Sequence, residues 1–280
     1  MNLLPTAGDI AQQITERIST SDQLPGLEIG LGDFDALMGF RPGDLVLLSG
    51  DHGSGKTGLA LSIARKVAIG SNVGVLIFSP TKSADYLVSR ILISEVEGGT
   101  NGDVRLTNAE SERLKRLQVA QQGLESVPIW IYDQSYTSFE DISRFADGLK
   151  KKVGLILIDD ISDIRDSHGV ITDKLKGLAE QLHLPILAVC PLGSGTDSQE
   201  DRRPILDNLD ASHVMSPDMV LFTYCPSMYG LRSPDGAALD GILEVIVAKN
   251  RYNAEGSVFL HIDTVTSDCR DLAPEWSADD

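Results

Sequence analysis

The sequence predicts an α/β fold with a doubly wound, mostly parallel sheet and an antiparallel edge. Short apolar runs alternate with helical stretches along most of the chain, which is typical of parallel strands joined by crossover helices. Near the C-terminal end, two apolar runs follow each other without a helix between them, which indicates antiparallel strands. A glycine-rich loop also joins the first strand to the next helical stretch, as in nucleotide-binding α/β proteins.

The predicted elements follow one another in a regular order. Eight apolar runs are predicted to be strands, at residues 45–48, 73–78, 129–132, 155–158, 186–189, 220–224, 243–248 and 258–262. Five stretches between them are predicted to be helices, at residues 57–69, 83–95, 108–123, 138–151 and 172–182. One large domain, at residues 29–272, accommodates all of these elements.

Size, charge and composition narrow the classes of function. The chain has 280 residues, of which 42% are hydrophobic and 23% are charged, the balance of a globular protein. Its formal net charge of −17 works against a broad basic surface for nucleic acid but leaves room for a local basic channel. The three cysteines (Cys190, Cys225 and Cys269) lack metal-ligand spacing and are expected to be reduced packing residues. Because no apolar stretch could span a membrane and the first residues lack a secretory signal pattern, we expect a cytoplasmic protein without a membrane partner.

The two ends of the chain are predicted to lie outside the large domain. In an N-terminal arm, residues 1–28, three isoleucines recur at a spacing of four and form one apolar stripe on a short helix at residues 9–18. This helix either packs on its own domain or docks on a neighbouring subunit. Residues 273–280 form an acidic tail, and the chain is expected to fray after Asp268.

A phosphate-binding loop is the clearest motif of the sequence. Residues 50–57 match the pattern G-x-x-x-x-G-K-[ST], follow the first predicted strand and open the next helix. In such a loop the backbone N–H groups face the phosphates, Lys56 reaches the β and γ oxygens, and the Thr57 hydroxyl binds Mg²⁺. We therefore predict that the chain binds ATP and Mg²⁺. The predicted binding residues are Gly50, Asp51, His52, Gly53, Ser54, Gly55, Lys56 and Thr57.

An acidic residue at the end of a buried strand is expected to complete the magnesium site. The apolar run at residues 155–158 is followed directly by Asp159 and Asp160. Asp159 is predicted to hold Mg²⁺ through water, as the Walker B carboxylate does in P-loop NTPases. Asp160 stands where many P-loop ATPases keep a catalytic acid, and it is a candidate for that role.

Two cations near the C-terminal end are candidates for contact with a nucleotide held by another subunit. Lys249 and Arg251 follow a predicted strand, and their spacing places both side chains on one face. This arrangement suits a finger that reaches a γ-phosphate across a subunit boundary. An ordinary solvated charge pair is the alternative interpretation.

Several segments together match one known family. Besides the P-loop, the Walker B segment and Lys249-Asn250-Arg251, the matching positions are Ile29, Gly30, Leu37, residues 75–79, Asp133, Leu175, Leu178, Ala179, Leu182, Leu184, Pro185, Arg203, Pro204, Leu209, Asp218, Phe222 and Tyr224. Over residues 9–272 the chain thus resembles the C-terminal motor domain of DnaB-type replicative helicases, a RecA-like hexameric class. The resemblance implies a homo-oligomeric ring, single-stranded DNA as a partner, and a catalytic role in trans for Lys249 and Arg251. It also implies that the helix at residues 9–18 corresponds to a linker helix that docks on the adjacent subunit.

The sequence departs from this family at catalytic positions. Where the family carries a catalytic glutamate in a Ser-Leu-Glu-Met segment, this chain reads Ser79-Pro80-Thr81-Lys82, and Thr81 cannot act as the base. The family's γ-phosphate sensor, a glutamine, corresponds to Pro191, and the neighbouring Asn and Arg correspond to Gly193 and Ser194. Each loss is expected to slow turnover on the order of 10²-fold.

A further departure concerns DNA. The loop between Ile164 and Ile171, which in the family holds DNA phosphates, is shorter here and contains only Arg165 as a cation. We predict an ATP-binding protein of the DnaB helicase class that acts in ATP-dependent DNA unwinding or translocation within a ring. Two alternatives remain: a hydrolysis-deficient paralogue that uses ATP for assembly or regulation, and an ATPase without a DNA substrate in which Asp160 replaces the missing acid.

Overall fold

The computed structural model describes residues 27–98, 110–165, 169–193, 196, 202–233, 236, 238–263 and 265–272. The helices in this part of the chain are α1 (Gly32–Leu37), α2 (Lys56–Gly70), α3 (Ala84–Gly98), α4 (Glu110–Leu124), α5 (Phe139–Leu149), α6 (Ile171–Leu182) and α7 (Ala211–Val214). The strands are β1 (Leu45–Gly50), β2 (Gly74–Phe78), β3 (Ile129–Tyr132), β4 (Val153–Ile158), β5 (Ile186–Val189), β6 (Met219–Tyr224), β7 (Ile242–Asn250), β8 (Gly256–Ile262) and β9 (Cys269–Asp271). Short 3₁₀ turns form at Ile161–Asp163, Leu206–Asn208 and Pro226–Tyr229.

The nine strands of the described residues belong to one sheet, in the order β3-β2-β4-β5-β1-β6-β7-β8-β9. Every pair from β3 to β6 along this order is parallel, and the pairs from β6 to β9 are antiparallel. The predicted fold class is therefore confirmed. Because parallel strands end at the same edge of a sheet, the loops that follow β1, β2, β4 and β5 lie near one another.

Helices cover both faces of the sheet and bury two apolar layers. Leu59 of α2 and Leu87 of α3 pack in one layer, whereas Ile142 of α5 and Leu175 of α6 pack in the other. Successive residues of β1 alternate between the layers, because side chains of a strand point alternately to opposite faces. This two-sided burial is why the parallel strands read as continuous apolar runs.

The structure confirms the eight predicted strands and five predicted helices, with shifts of a few residues at most of their ends. The sequence reasoning missed α1, α7 and β9, which are short. The prediction that the chain frays after Asp268 is wrong for β9, which pairs with β8. Cys269 is fully buried there, and its N–H donates to Oγ of Ser62 at 3.1 Å, so burial and pairing hold this segment.

The remaining predictions concern the two ends of the chain, the cysteines and membrane-spanning helices. The helix predicted at residues 9–18 and the tail at residues 273–280 lie outside the described residues, so the domain bounds stay predictions. The three cysteines are buried and unpaired, as expected. In the part of the chain that the structure describes, no helix is both long and apolar enough to cross a membrane.

Candidate functional site

A cavity of about 540 Å³ opens at the carboxyl edge of the parallel strands. Its walls come from the loop between β1 and α2, from the loop after β2, and from residues that follow β4 and β5. Every predicted P-loop residue except Ser54 lines it, as do Asp159 and Asp160. The volume lies within the range of about 300–1,000 Å³ that is usual for small-molecule sites. Chain segments that are distant in the sequence thus meet where α/β proteins bind their ligands.

Glycines allow the P-loop backbone to pack directly against the strands behind it. Gly53 and Gly55 have φ angles of 81° and 92°, a region that favours glycine. A Cβ atom on Gly50 would lie 2.4 Å from Oγ1 of Thr223, and one on Gly55 would lie 3.0 Å from Cδ1 of Ile262. At Gly50 and Gly55 the loop therefore has no room for a side chain, and its backbone can approach phosphate groups closely.

Residues from the end of β6 and the turn after it support this loop from behind. The buried Ser54 hydroxyl donates to the Asp51 carbonyl at 2.8 Å and hydrogen-bonds Oγ1 of Thr223 at 2.7 Å. The Tyr229 hydroxyl donates to Oδ2 of Asp51 at 3.1 Å. Sequence reasoning did not select Thr223 or Tyr229, because they lie far along the chain and carry no motif. Ser54, which was predicted to bind nucleotide, acts here as a support of the loop.

The Lys56 side chain contacts the backbone of the P-loop. Its ammonium group donates to the carbonyl oxygens of Gly50 at 2.9 Å and Asp51 at 2.7 Å. Burial lowers the pKa of Lys56, and the nearby carboxylates of Asp160 and Asp159 act in the opposite direction. A partly desolvated cation that lines the cavity is suited to a polyanionic ligand.

The residue types around Thr57 and Asp159 fit a magnesium ion that is bound together with a nucleotide. Both residues line the cavity, and hydroxyl and carboxylate oxygens are ligands that Mg²⁺ prefers. Among the described residues, no cluster of three or more His, Cys, Asp or Glu side chains could hold a metal ion by itself. This agrees with the tendency of Mg²⁺ to bind through one or two protein groups and the phosphates of a substrate.

Lys82 is a residue of this site that the sequence reasoning overlooked. Its Nζ atom lies 3.1 Å from Oδ2 of Asp159, and the Asp159 side chain is only 4% exposed. Lys82 follows Thr81 in the loop between β2 and α3, where Thr81 is exposed and does not line the cavity. The signal was present in the segment Ser79-Pro80-Thr81-Lys82, one position after the missing glutamate. Only the path of the loop decides which of its side chains faces Asp159.

Asp160 lies at the cavity wall in a position compatible with acid or base chemistry. Its Oδ1 accepts hydrogen bonds of 2.8 Å from the backbone N–H and from the hydroxyl of Ser162. Burial raises the pKa of the Asp160 carboxyl above its usual value. These two contacts orient the carboxyl group, and the raised pKa brings its proton exchange closer to neutral pH.

The positions that correspond to the family's sensor offer little to a γ-phosphate. Pro191 lines the cavity but has neither a polar side chain nor a backbone N–H. The N–H of Gly193 donates to the Asn208 carbonyl at 2.8 Å, and Ser194 lies outside the described residues.

Arg90 of α3 is a second cation at the cavity wall that the sequence reasoning did not select, and it donates to the Ser267 hydroxyl.

Lys249 and Arg251 do not line the cavity of their own chain. The Lys249 ammonium donates to three carbonyl groups within residues 214–217, at 2.7–3.0 Å. The Arg251 guanidinium donates to Oδ1 of Asp218 at 2.9 Å, and 63% of its side chain is exposed. Both side chains contact the segment at residues 214–218, and their role in trans stays a prediction.

Arg165 belongs to the loop that holds DNA phosphates in the family, and here it is hydrogen-bonded to the segment between β3 and α5. The N–H of Arg165 donates to the Thr137 carbonyl at 2.9 Å. Its guanidinium lies 4.1 Å from the centre of the Tyr136 ring, whose residue is 69% exposed. The cation that the sequence singled out in this loop is thus stacked on an exposed aromatic ring.

Comparisons with known sequences agree with the family that the sequence resembles. A family model described as "DnaB-like helicase C terminal domain" matches residues 26–269. The replicative DNA helicase DnaB of Geobacillus stearothermophilus is 30% identical over 254 residues, which cover 85% of this chain and 55% of that protein. The chain spans about half the length of the curated relatives it matches.

Comparisons with solved structures agree with the fold. A solved structure described as an ATPase domain superimposes with a TM-score of 0.83 at 20% identity and covers 96% of this chain and 99% of that one. A DnaB-like replicative helicase, solved in a study of its interactions with primase, gives a TM-score of 0.81 at 21% identity over 96% of this chain and 67% of that one. At these identities the likeness shows the fold, and it confirms the predicted RecA-like architecture.

Proposed function

This chain belongs to the DnaB-like helicase C-terminal domain family, and from that premise we propose that it binds ATP with Mg²⁺ and acts in ATP-dependent DNA unwinding or translocation. The observation that carries nucleotide binding is the P-loop, which lines one cavity together with Asp159 and Asp160. The DNA substrate comes from the relatives, which are named as replicative helicases.

Four residues of the cavity have proposed roles in binding and hydrolysis of ATP. Lys56 turns from the carbonyls of Gly50 and Asp51 to the β and γ oxygens of ATP. Thr57 and Asp159 hold Mg²⁺, which when bound neutralises charge on those oxygens. Asp160 receives the proton of the attacking water, since its carboxyl lines the cavity and is oriented by Ser162.

We further propose a homo-oligomeric ring, hexameric by analogy with the family, in which ATP lies between subunits. Arg251, exposed and outside its own cavity, contacts the nucleotide of the neighbour together with Lys249. Single-stranded DNA is the proposed partner inside the ring, and the cytoplasm is the proposed location.

A second candidate function is ATP-dependent assembly without turnover. It is favoured by a specific observation: the residue that faces Asp159 from the loop after β2 is Lys82, not a carboxylate. A lysine cannot accept a proton from water while it is charged, and Pro191 offers no donor to the γ-phosphate. In this case ATP would stabilise the ring, and the chain would serve as a regulatory subunit.

One experiment separates the two functions. ATP binding and steady-state hydrolysis are measured with and without single-stranded DNA, and Lys56→Ala serves as the variant that loses nucleotide binding. DNA-stimulated hydrolysis supports the motor and excludes the second candidate. Tight binding without hydrolysis excludes the motor. Size measurement with and without ATP tests the ring, and a monomer under both conditions would contradict it.

A further inference from the structure

An exposed aromatic ring lies next to a cation at the carboxyl edge of the parallel strands. Tyr136, in the segment between β3 and α5, is 69% exposed, and the Arg165 guanidinium lies 4.1 Å from the centre of its ring. Arg165 follows β4 and is itself exposed. The guanidinium lies over one face of the ring, and the large exposed fraction leaves the tyrosine open to a partner from solvent.

The backbone on both sides of this pair is fixed by hydrogen bonds and burial. Thr137 is fully buried, and its hydroxyl donates to the Gln134 carbonyl at 2.6 Å, which closes the turn that presents Tyr136. The N–H of Arg165 donates to the Thr137 carbonyl at 2.9 Å, and Ile164 just before it is 8% exposed. Because both side chains stand on fixed backbone, a ligand that binds them has little loop to order.

The position of this pair relates it to the nucleotide cavity. Asp159 and Asp160 line the cavity at the end of β4, and the short turn Ile161–Asp163 leads from them towards Arg165. A ligand on Tyr136 and Arg165 thus lies a few residues along the chain from the groups proposed to act on ATP. An arginine beside an exposed aromatic ring offers donors to a phosphate and a π-face to a base, the two features by which proteins bind single-stranded nucleic acid.

A second arginine–tyrosine pair shows which features distinguish the first. Arg41 lies 4.0 Å from the ring centre of Tyr252, which is 39% exposed and whose hydroxyl donates to Asp44 at 2.7 Å. Arg41 precedes β1 and Tyr252 follows β7, so this pair lies at the amino edge of the parallel strands, away from the cavity. The greater exposure of Tyr136 and its place on the edge that carries the cavity set the first pair apart.

We propose that Tyr136 and Arg165 form a stacking platform for single-stranded DNA, in which a base lies on the open face of the ring and the guanidinium contacts the adjoining phosphate. This inference rests on the proposed DNA partner, and it adds contact with bases to the phosphate contact that the family resemblance implies for the loop of Arg165. A tyrosine ring stacks with every base, so the platform should show little preference for sequence.

The test compares a fluorescein-labelled oligothymidylate with an abasic strand of the same length, by fluorescence anisotropy with Mg²⁺ and a non-hydrolysable ATP analogue. The two strands carry the same phosphates, so the ratio of their Kd values reports contact with bases. For the wild type, the Kd of the abasic strand is expected to be about tenfold higher or more. For Tyr136→Ala this ratio should fall to about twofold or less, whereas Tyr136→Trp, which keeps an aromatic ring, should retain it.

Two further variants separate stacking from charge. Tyr252→Ala is the matched control, since Tyr252 forms the same kind of pair with Arg41 at the opposite edge, and its ratio should equal that of the wild type. Arg165→Gln should weaken both strands and lower the slope of log Kd against log salt concentration by about 0.7, the value for one lost phosphate contact. Thermal melting and size measurement verify that each variant is folded and assembles like the wild type.

The outcomes distinguish this inference from the function on which it rests. If the wild type binds both strands equally, or if folded Tyr136→Ala keeps the wild-type ratio, the inference is overturned and the proposed DNA partner stands. If Tyr136→Ala keeps the ratio but no longer assembles, the pair is a contact between subunits, and the inference is overturned as well. If the wild type binds neither strand, the proposed DNA partner fails and the inference falls with it.

Discussion

Arg251 donates a hydrogen bond of 2.9 Å to Oδ1 of Asp218 within its own chain. The other carboxylate oxygen of Asp218 accepts from Lys176 at 2.8 Å and from the backbone N–H of Leu45 at 2.9 Å. Asp218 thus joins the end of β7, helix α6 and the start of β1. The guanidinium that is proposed to reach a neighbour's nucleotide is thus hydrogen-bonded, within its own chain, to a carboxylate that is only 2% exposed.

The substitution Asp218→Asn should destabilise the fold. It leaves the charges of Lys176 and Arg251 without their buried partner, and we expect the free energy of unfolding to fall by about 3 kcal/mol. Urea denaturation at neutral pH measures this change. Asp147→Asn is the control, because Asp147 is 59% exposed in its pair with Lys150 and should change stability by less than about 1 kcal/mol. Equal effects of the two substitutions would contradict the role of Asp218.

The contribution of Asp218 to stability should depend on pH in one direction. Burial alone would raise its pKa, but the hydrogen bonds from Lys176, Leu45 and Arg251 outweigh burial and hold the pKa below its usual value. A carboxyl whose pKa is lower in the folded state stabilises the fold above its unfolded pKa, about 3.9, and this contribution is lost as pH falls through the folded pKa. The difference in unfolding free energy between wild type and Asp218→Asn should therefore shrink below about pH 4. A difference that stays constant down to about pH 2.5 would argue against this linkage.

The substitution Arg251→Ala should weaken assembly while leaving the fold intact. The Arg251 side chain is 63% exposed, so its loss should change the free energy of unfolding little. Sizing with ATP should show less of the ring than for the wild type, because the contact with the neighbour's γ-phosphate is missing. Arg144→Ala is a matched control, since Arg144 is 66% exposed and also pairs with an aspartate, Asp141. Unchanged assembly of Arg251→Ala would show that this residue does not act in trans.

The substitution Asp160→Asn tests the proposed proton acceptor. We expect steady-state hydrolysis to fall about 10²-fold with nearly unchanged nucleotide affinity, because an amide cannot take a proton from water. Asp163→Asn, three residues on and exposed, is the control. Since the base must be ionised and burial raises the pKa of Asp160, hydrolysis by the wild type should decline as pH falls through that raised pKa. If the Asp160→Asn variant hydrolyses ATP as fast as the wild type, another group accepts the proton of the attacking water.

The substitution Gly50→Ala tests the packing of the P-loop. A Cβ atom at this position would lie 2.4–2.7 Å from atoms of Thr223 and Ser54, so the loop must move. We expect about 2 kcal/mol of destabilisation and a Kd for ATP raised about tenfold or more. Gly70→Ala, where a Cβ would meet nothing within 4 Å, should preserve both stability and affinity. Calorimetric titration and thermal melting measure the two quantities.

Much of this molecule could be predicted because the signals are local. The spacing of residues 50–57 between an apolar strand and a helix specifies a phosphate-binding loop without any knowledge of the rest of the fold. Asp159 and Asp160 were found for the same reason, since they directly follow an apolar strand. Short elements were missed: Cys269–Asp271 is only three residues long and carries no periodic pattern. Its place is determined by pairing with β8 and by burial against α2.

The sequence by itself therefore determined the fold class, the P-loop and the acidic residue at the end of β4, since each depends on neighbours along the chain. Only the tertiary structure decided which side chains meet across the sheet edge. Lys82 and Asp159 are 77 residues apart, and they pair because β2 lies next to β4 and the loop after β2 turns Lys82, not Thr81, into the cavity. Strand order and loop path set such contacts, and neither is encoded in local spacing.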